Sequence, residues 1–153
     1  MTIVPMTAGH LDQTAAIEAQ CFSLPWSRQA FAEELAAPNA VYLVCQEGGL
    51  VLGYGGMRHA AGEFYVDNIA VSPAHRRQGV GRAVTKALIA RARELGGSFL
   101  SLEVRPSNQA AVALYTRLGL KPVGLRKNFY DCPKEDGLIM TIYFAEEGEA
   151  LSC

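Results

Sequence analysis

No stretch of this chain approaches the roughly 18–20 consecutive apolar residues that a membrane-crossing helix requires, so the sequence predicts no spanning segment. Cysteine is sparse and scattered. Cys21, Cys45, Cys132 and Cys153 form no C-x-x-C pair, and the histidines at 10, 59 and 75 do not gather beside them. That spacing argues against a zinc site, predicts no metal, and fits reduced thiols in a cytoplasmic protein. An excess of one charge is also lacking: 14 Lys and Arg stand against 15 Asp and Glu, a formal net charge of −1. A chain so balanced is not an obvious nucleic-acid clamp. The opening MTIVPMTAGHLD has no cationic stretch leading into an apolar one, so no secretory leader is expected. Repeats, low-complexity segments and linkers are missing too. What is present is a half-apolar, 19% charged sequence of 153 residues. That composition excludes disordered, collagen-like and coiled-coil chains, and the length is that of one domain with one core.

Periodicity orders the elements. Thr2–Met6 reads as a strand and Ala8–Phe22 as a helix with Leu11, Ala15 and Ile17 towards a core. Pro25-Trp26-Ser27 interrupts it, and Ser27 is a natural N-cap for a second helix carrying Phe31 and Leu35 on one face. Val41–Glu47 and Leu50–Met57 are strands around a Gly48-Gly49 hairpin turn, and Glu63–Val71 is a further strand. Gly79–Leu95 places Val80, Val84, Ala87, Leu88, Ala92 and Leu95 at helical spacing before a Gly96-Gly97 stop. Phe99–Val104 is a strand, Asn108–Leu118 a helix ended by Gly119, and Val123–Tyr130 and Leu138–Phe144 two closing strands. Residues 1–144 thus form one domain, and 145–153, AEEGEALSC, read as a short acidic flexible tail.

The middle of the chain is strand, loop, helix, strand, loop, helix. A β-α-β crossover brings the C-terminal ends of both strands to one sheet edge, where open α/β sheets bind ligands. The loops after Val71 and Val104 are therefore expected to face one crevice. The first of them, Ser72 to Arg82, sets Gly79 and Gly81 at a helix start among Arg76, Arg77 and Arg82. Open N–H groups and glycines that admit close approach suit a pyrophosphate. The plain alternative is a turn that needs glycine, with its arginines in solvent. A Walker loop lacks its Lys and Ser/Thr here, and a dinucleotide fingerprint fails at its third small residue.

Arg76-Arg77-Gln78-Gly79-Val80-Gly81, preceded by Asn68-Ile69-Ala70-Val71, resembles the acetyl-coenzyme A loop of the GNAT family of N-acetyltransferases. The element order resembles that family across nearly the whole chain. Pro25-Trp26-Ser27, Leu102-Glu103-Val104-Arg105, Ser107-Asn108, Ala113-Leu114-Tyr115, Leu118-Gly119 and Asn128-Phe129-Tyr130 narrow the likeness to its ribosomal-protein-alanine N-acetyltransferase (RimI) group. Phe129, where Tyr is common, and Gly137, where Ala is common, depart from the pattern. The first departure removes a hydroxyl near the expected peptide site.

The resemblance implies an α/β (α+β) GNAT acyl-CoA N-acyltransferase fold, a twisted, mixed, mostly antiparallel seven-strand sheet with helices on both faces. It implies acetyl-CoA as cosubstrate, bound by Ile69, Ala70, Val71, Arg76, Arg77, Gln78, Gly79, Val80, Gly81, Arg82 and, on the pantetheine arm, Asn108. It implies a protein N-terminus as acceptor, that of a small-subunit ribosomal protein, in a groove bordered by Trp26 and Tyr130, and no partnership with nucleic acid or membrane. Trp26 by itself reads as a packing anchor.

Two residues carry the chemistry. Strand alternation puts Glu103 on the polar face at the end of its strand, where a carboxylate is most often merely solvated. An α-amine with a pKa of about 8 must lose a proton before it attacks a thioester, and the resemblance makes Glu103 the base that takes it. Tyr115 lies seven residues after Asn108, two helical turns, so the pair is expected to share a face. Tyr115 also fits a core stripe with Ala111 and Leu118. A phenol is a reasonable proton donor to a departing thiolate, the role the resemblance assigns it, with the Val71 N–H meeting the oxyanion. Cys132 and His75 carry no chemistry in this reading. The reaction expected is direct acetyl transfer to an N-terminal amine. A lysine or small-amine acetyltransferase and a non-catalytic CoA-binding module are the alternatives. Turnover of any amine excludes the second.

Overall fold

Gly48 and Gly49 take left-handed backbone angles, φ 56° and 85°, and make the turn expected of them. They join β2 (Ala40–Glu47) to β3 (Leu50–Ala60) in an antiparallel hairpin paired from Glu47 with Leu50 to Ala40 with Arg58. With β1 (Thr2–Pro5), β4 (Glu63–Val71), β5 (Phe99–Val104), β6 (Lys121–Asp131) and β7 (Lys134–Tyr143), they form a mixed seven-stranded sheet in the order β1-β2-β3-β4-β5-β7-β6. β4 and β5 run parallel, while β1/β2, β5/β7 and β6/β7 are antiparallel. Four α-helices accompany the sheet: α1 (Leu11–Cys21), α2 (Arg28–Ala36), α3 (Val80–Glu94) and α4 (Gln109–Arg117). The computed structural model describes residues 1–144, so the tail expected at 145–153 lies outside the described residues. Two compact units divide the chain: Met1–Arg58 with Asp67–Ile89, and His59–Val66 with the residues from Ala90 onward.

In the first unit, Ser27 caps α2 by accepting from the Ala30 N–H at 3.1 Å. Phe31, fully buried, meets Tyr54 edge-on at 5.5 Å and packs with Leu11, Ile17, Tyr42 and Val44. α1 differs from expectation in one respect. Its inward face is Leu11, Thr14, Ile17 and Glu18, while Ala15 is half-buried. Helical spacing carries a threonine and a glutamate inside, which an apolar count passes over.

α3 lies close on β3 because β3 offers glycine there. A Cβ on Gly53 would sit 2.7 Å from Val80 Cγ1 and 2.8 Å from the Ala70 carbonyl oxygen, and one on Gly55 would sit 2.6 Å from Val84 Cγ1. Val80, Val84, Leu88 and Ala92 fill the buried stripe, joined by Ile89. Leu95, expected in that stripe, is 44% exposed; it follows the last helical residue, where the helical period no longer directs its side chain. Gly53→Ala is expected to destabilise the fold by about 1–3 kcal/mol through overpacking. Chemical denaturation of the variant checks this, and unchanged stability would refute the close approach.

In the second unit, Leu100, Leu102 and Val104 of β5 are buried, as alternation predicts. Ser101 is buried too, its hydroxyl 2.8 Å from that of Thr141 on β7. β7 begins at Lys134, four residues before the apolar run at Leu138 that marks it in the sequence, because Lys134–Gly137 gains its pairing from β6 rather than from apolar burial. Cys132 and Pro133 form the turn between β6 and β7, with a cis peptide bond.

Candidate active site

The glycine loop belongs to the first unit. β4 ends in Ile69, Ala70 and Val71, and the Ser72 N–H is held by the Leu52 carbonyl at 2.8 Å. A single 3-10 turn, Pro73–His75, leads to Arg76. Arg77 and Gly79 both have positive φ, 63° and 82°, so the chain bends twice just before α3. For Arg77 the left-handed conformation costs about 1–2 kcal/mol, strain of the kind found where a loop serves a ligand. The first helical bond joins the Ala83 N–H to the Gly79 carbonyl at 3.0 Å. This leaves the N–H groups of Val80, Gly81 and Arg82 as the open first-turn donors. Val80 is buried, Gly81 is half-buried, and the side chains of Arg76, Arg77, Gln78 and Arg82 are exposed.

Charge completes this part. From Asn68 to Arg93 the chain carries six cationic side chains and no Asp or Glu, and the helix dipole adds to them at the N-terminus of α3. Open amides, two glycines and uncompensated arginines fit the pyrophosphate and further phosphate of coenzyme A. Gly81→Val is expected to leave the protein folded and to weaken coenzyme A binding severely, by crowding the place where phosphate meets backbone. Calorimetric titration measures it; unchanged affinity in a folded variant would remove the loop from the site.

Beside this loop lies a residue to which the sequence assigns no place in the site. The Cys21 thiol, at the end of α1, donates to the Val71 carbonyl at 3.4 Å and meets Arg76 Nη2 at 3.6 Å. One turn earlier is a second, Glu18, only 2% exposed. Its carboxylate accepts from the Tyr54 hydroxyl, from Asn68 Nδ2 at 2.9 Å and from the Trp26 backbone N–H at 2.9 Å. Burial, more than its bond to Glu18, pushes the Tyr54 phenol well above its ordinary range. Trp26 is half-buried, its ring centroid 5.4 Å from that of Phe31 and 6.4 Å from that of Tyr42. The indole thus anchors the turn between α1 and α2, while Phe22 and Leu24 of that turn are exposed. The signal for Glu18 was its place, seven residues after Leu11 on the inward face of α1.

The expected proton-transfer residues belong to the second unit. Glu103 stands next to last in β5, opposite Ile139 of β7. Its side chain is 22% exposed, and Oε1 is 3.1 Å from Arg126 Nη1 of β6. Tyr115 is buried in α4. Burial, and to a smaller degree the neighbouring Tyr130, pushes its phenol up to about 12. The seven-residue spacing treats Asn108 as a helical residue two turns before Tyr115. Asn108 is the N-cap of α4, outside the helix, and its side chain accepts from the Ala111 N–H at 3.2 Å. Capping, which needs a non-helical residue with a side-chain oxygen, overrides the helical count.

Tyr130 is held by charge. The Arg105 guanidinium lies 4.3 Å from its ring centroid, and Phe129 meets it edge-on at 4.9 Å. Its phenol is pushed up to about 12, by burial first and by the Glu103 charge second. Arg105 also donates to the Pro133 carbonyl at 2.7 Å and to Glu135 Oε1 at 3.3 Å. Glu135 accepts from the Ser107 N–H at 2.9 Å and hydroxyl at 2.8 Å, and the N–H is the main cause holding its carboxyl below the usual range. This cluster fastens the β6–β7 turn to the loop after β5. Among the described residues no His, Cys, Asp and Glu group could hold a metal, and no helix is long and apolar enough to cross a membrane.

A mixed seven-stranded sheet, a glycine-bearing helix start after β4, and a carboxylate on β5 followed by a buried tyrosine on α4 fit an acyl-transfer enzyme. The model of the Acetyltransferase (GNAT) family matches residues 11–120, and the chain belongs to that family. Enzymes of this family take their acetyl group from acetyl-CoA. The chain is 37% identical over 146 residues to the N-alpha-acetyltransferase RimI of Mycobacterium tuberculosis, covering 92% of this chain and 90% of that one. It is 34% identical over 143 residues to the [ribosomal protein bS18]-alanine N-acetyltransferase of Escherichia coli, covering 92% and 96%. The crystal structure of the ribosomal-protein-S18-alanine N-acetyltransferase from Escherichia coli superposes with a TM-score of 0.85 at 33% identity, over 95% of this chain and 96% of that one.

Proposed function

We propose that residues 1–144 act as one catalytic domain. It transfers acetyl directly from acetyl-CoA to the α-amine of a protein N-terminus, the N-terminal alanine of ribosomal protein bS18, in the cytoplasm. The observation that carries the chemistry is the half-buried carboxylate of Glu103 on β5 with the buried phenol of Tyr115 on the helix that follows. The relatives that match nine-tenths of the chain support the acceptor.

When bound, acetyl-CoA supplies a thioester carbonyl and a thiolate leaving group. The N–H groups at the start of α3, with Arg76, Arg77 and Arg82, hold its phosphates. Ile69 to Val71 run beside the pantetheine arm, with Asn108 at its side, and the Val71 N–H meets the developing oxyanion. Glu103 takes a proton from the acceptor ammonium, freeing the amine to attack. As the new N–C bond forms and the C–S bond breaks, Tyr115 gives its proton to the leaving sulfur, and the second proton shed by the new amide nitrogen passes to solvent, from which the phenol is restored. Trp26 shapes the acceptor turn through its packing, and Tyr130 lines the acceptor site from the β6–β7 side.

A peptide panel with acetyl-CoA tests the proposal, with first residues varied and an internal lysine in every member. Peptides beginning with Ala are expected to give the highest kcat/KM, followed by other small first residues. Equal rates across all first residues would contradict the alanine acceptor, and acetylation confined to lysines would put a lysine acetyltransferase in its place.

A further inference from the structure

Arg126 of β6 comes within 3.1 Å of Glu103 on β5, with β7 between their strands. Glu103 is opposite Ile139, and Arg126 is opposite Gly137 two residues along the same strand. Paired and alternate residues share a face of a sheet, so Glu103, Ile139, Gly137 and Arg126 stand on one side of it. Arg126 crosses β7 diagonally at the residue that has no side chain.

What lies over that residue is Phe129. The register shifts between Arg126 and Tyr130, and Asn128, at φ 55°, has its N–H held by Asp136 Oδ1 at 2.8 Å. That bulge brings Phe129 down on Gly137, where an added Cβ would come within 3.1 Å of the phenylalanine Cβ and ring. The Arg126 guanidinium then lies 5.1 Å from the Phe129 ring centroid and 3.1 Å from Glu103 Oε1.

We propose that Arg126 is a positioning residue for Glu103, seated by the Phe129–Gly137 contact. The ion pair holds Oε1 against the guanidinium at 3.1 Å and leaves Oε2 for the proton the carboxylate removes. Arg126 is 58% exposed, and ion pairs so exposed add little to stability, so the arrangement is not a staple of the fold. The proposal rests on Glu103 as the base.

The test measures kcat, both KM values and thermal midpoints for Arg126→Ala, Arg126→Lys, Glu103→Gln and the Arg126→Ala/Glu103→Gln double variant. Misaligned catalytic groups cost up to about 100-fold, and Arg126→Ala is expected to lower kcat by about 10- to 100-fold. The KM for acetyl-CoA and the thermal midpoint should stay unchanged. Lysine, which keeps the charge but not the planar fork, should recover part of the loss. In the Glu103→Gln background, removal of Arg126 should cost nothing further. Gly137→Ala, which crowds Phe129, should act in the same direction as Arg126→Ala and more weakly. A normal kcat in Arg126→Ala, or a full multiplicative loss in the double variant, would overturn the positioning role while leaving Glu103 as base. A normal rate in Glu103→Gln alone would instead overturn the base, and the proposal with it.

Discussion

Glu103→Gln is expected to lower the rate at neutral pH by about 10²–10⁴-fold, the scale of a lost general base. The amide keeps the shape of the side chain, so fold and coenzyme A affinity should be preserved, since the loop proposed to take the phosphates is a different one, at the start of α3. The deficit should shrink as pH rises towards and above the amine pKa of about 8, where solvent supplies free amine without a base. A residue that only orients the acceptor would cost the same factor at every pH. Profiles of kcat/KM from neutral to alkaline pH, with acetyl-CoA saturating, distinguish the two. Parallel curves would remove the base role, and coincident curves would remove any catalytic role.

Tyr115→Phe should behave differently along the same axis. The ring and its packing remain, and only the proton is lost. The expected fall in kcat is about 10²-fold or more. Because burial holds the phenol up to about 12, Tyr115 stays protonated throughout the range in which the amine titrates. The loss should therefore be constant from pH 6 to pH 10. A deficit that fades with rising pH would mean that the hydroxyl serves the amine rather than the leaving sulfur. A normal kcat would return Tyr115 to the core stripe of α4.

The features legible in the sequence are those with local causes. Ser27 before a helix, Gly48-Gly49 between alternating runs, and the glycine stop after α3 each act over a few residues, and each falls where the sequence places it. The glycine loop was legible as a turn because Gly79, at φ 82°, takes a backbone angle that favours a residue without Cβ just before a helix. What was hidden depends on distant partners. Glu18 is tolerable inside only because β3, β4 and the Trp26 turn each send it a donor. Gly53 and Gly55 look like weak points in a strand until α3 is laid against them. Arg126 has no local mark at all, since its approach to Glu103 depends on strand pairing across β7. Asn108 counts as a helical residue by spacing and is the cap of α4 in the structure, because the two look alike when only spacing is counted.

The most direct test of the account is site-resolved tandem mass spectrometry of small-subunit ribosomal proteins, dissociated and free of prior acetylation, after incubation with the protein and acetyl-CoA. One acetyl group on the α-amine of the N-terminal alanine of bS18, and none when Glu103→Gln replaces the protein at neutral pH over the same time, is the predicted result. Acetyl groups on lysine side chains with that α-amine unmodified would contradict it.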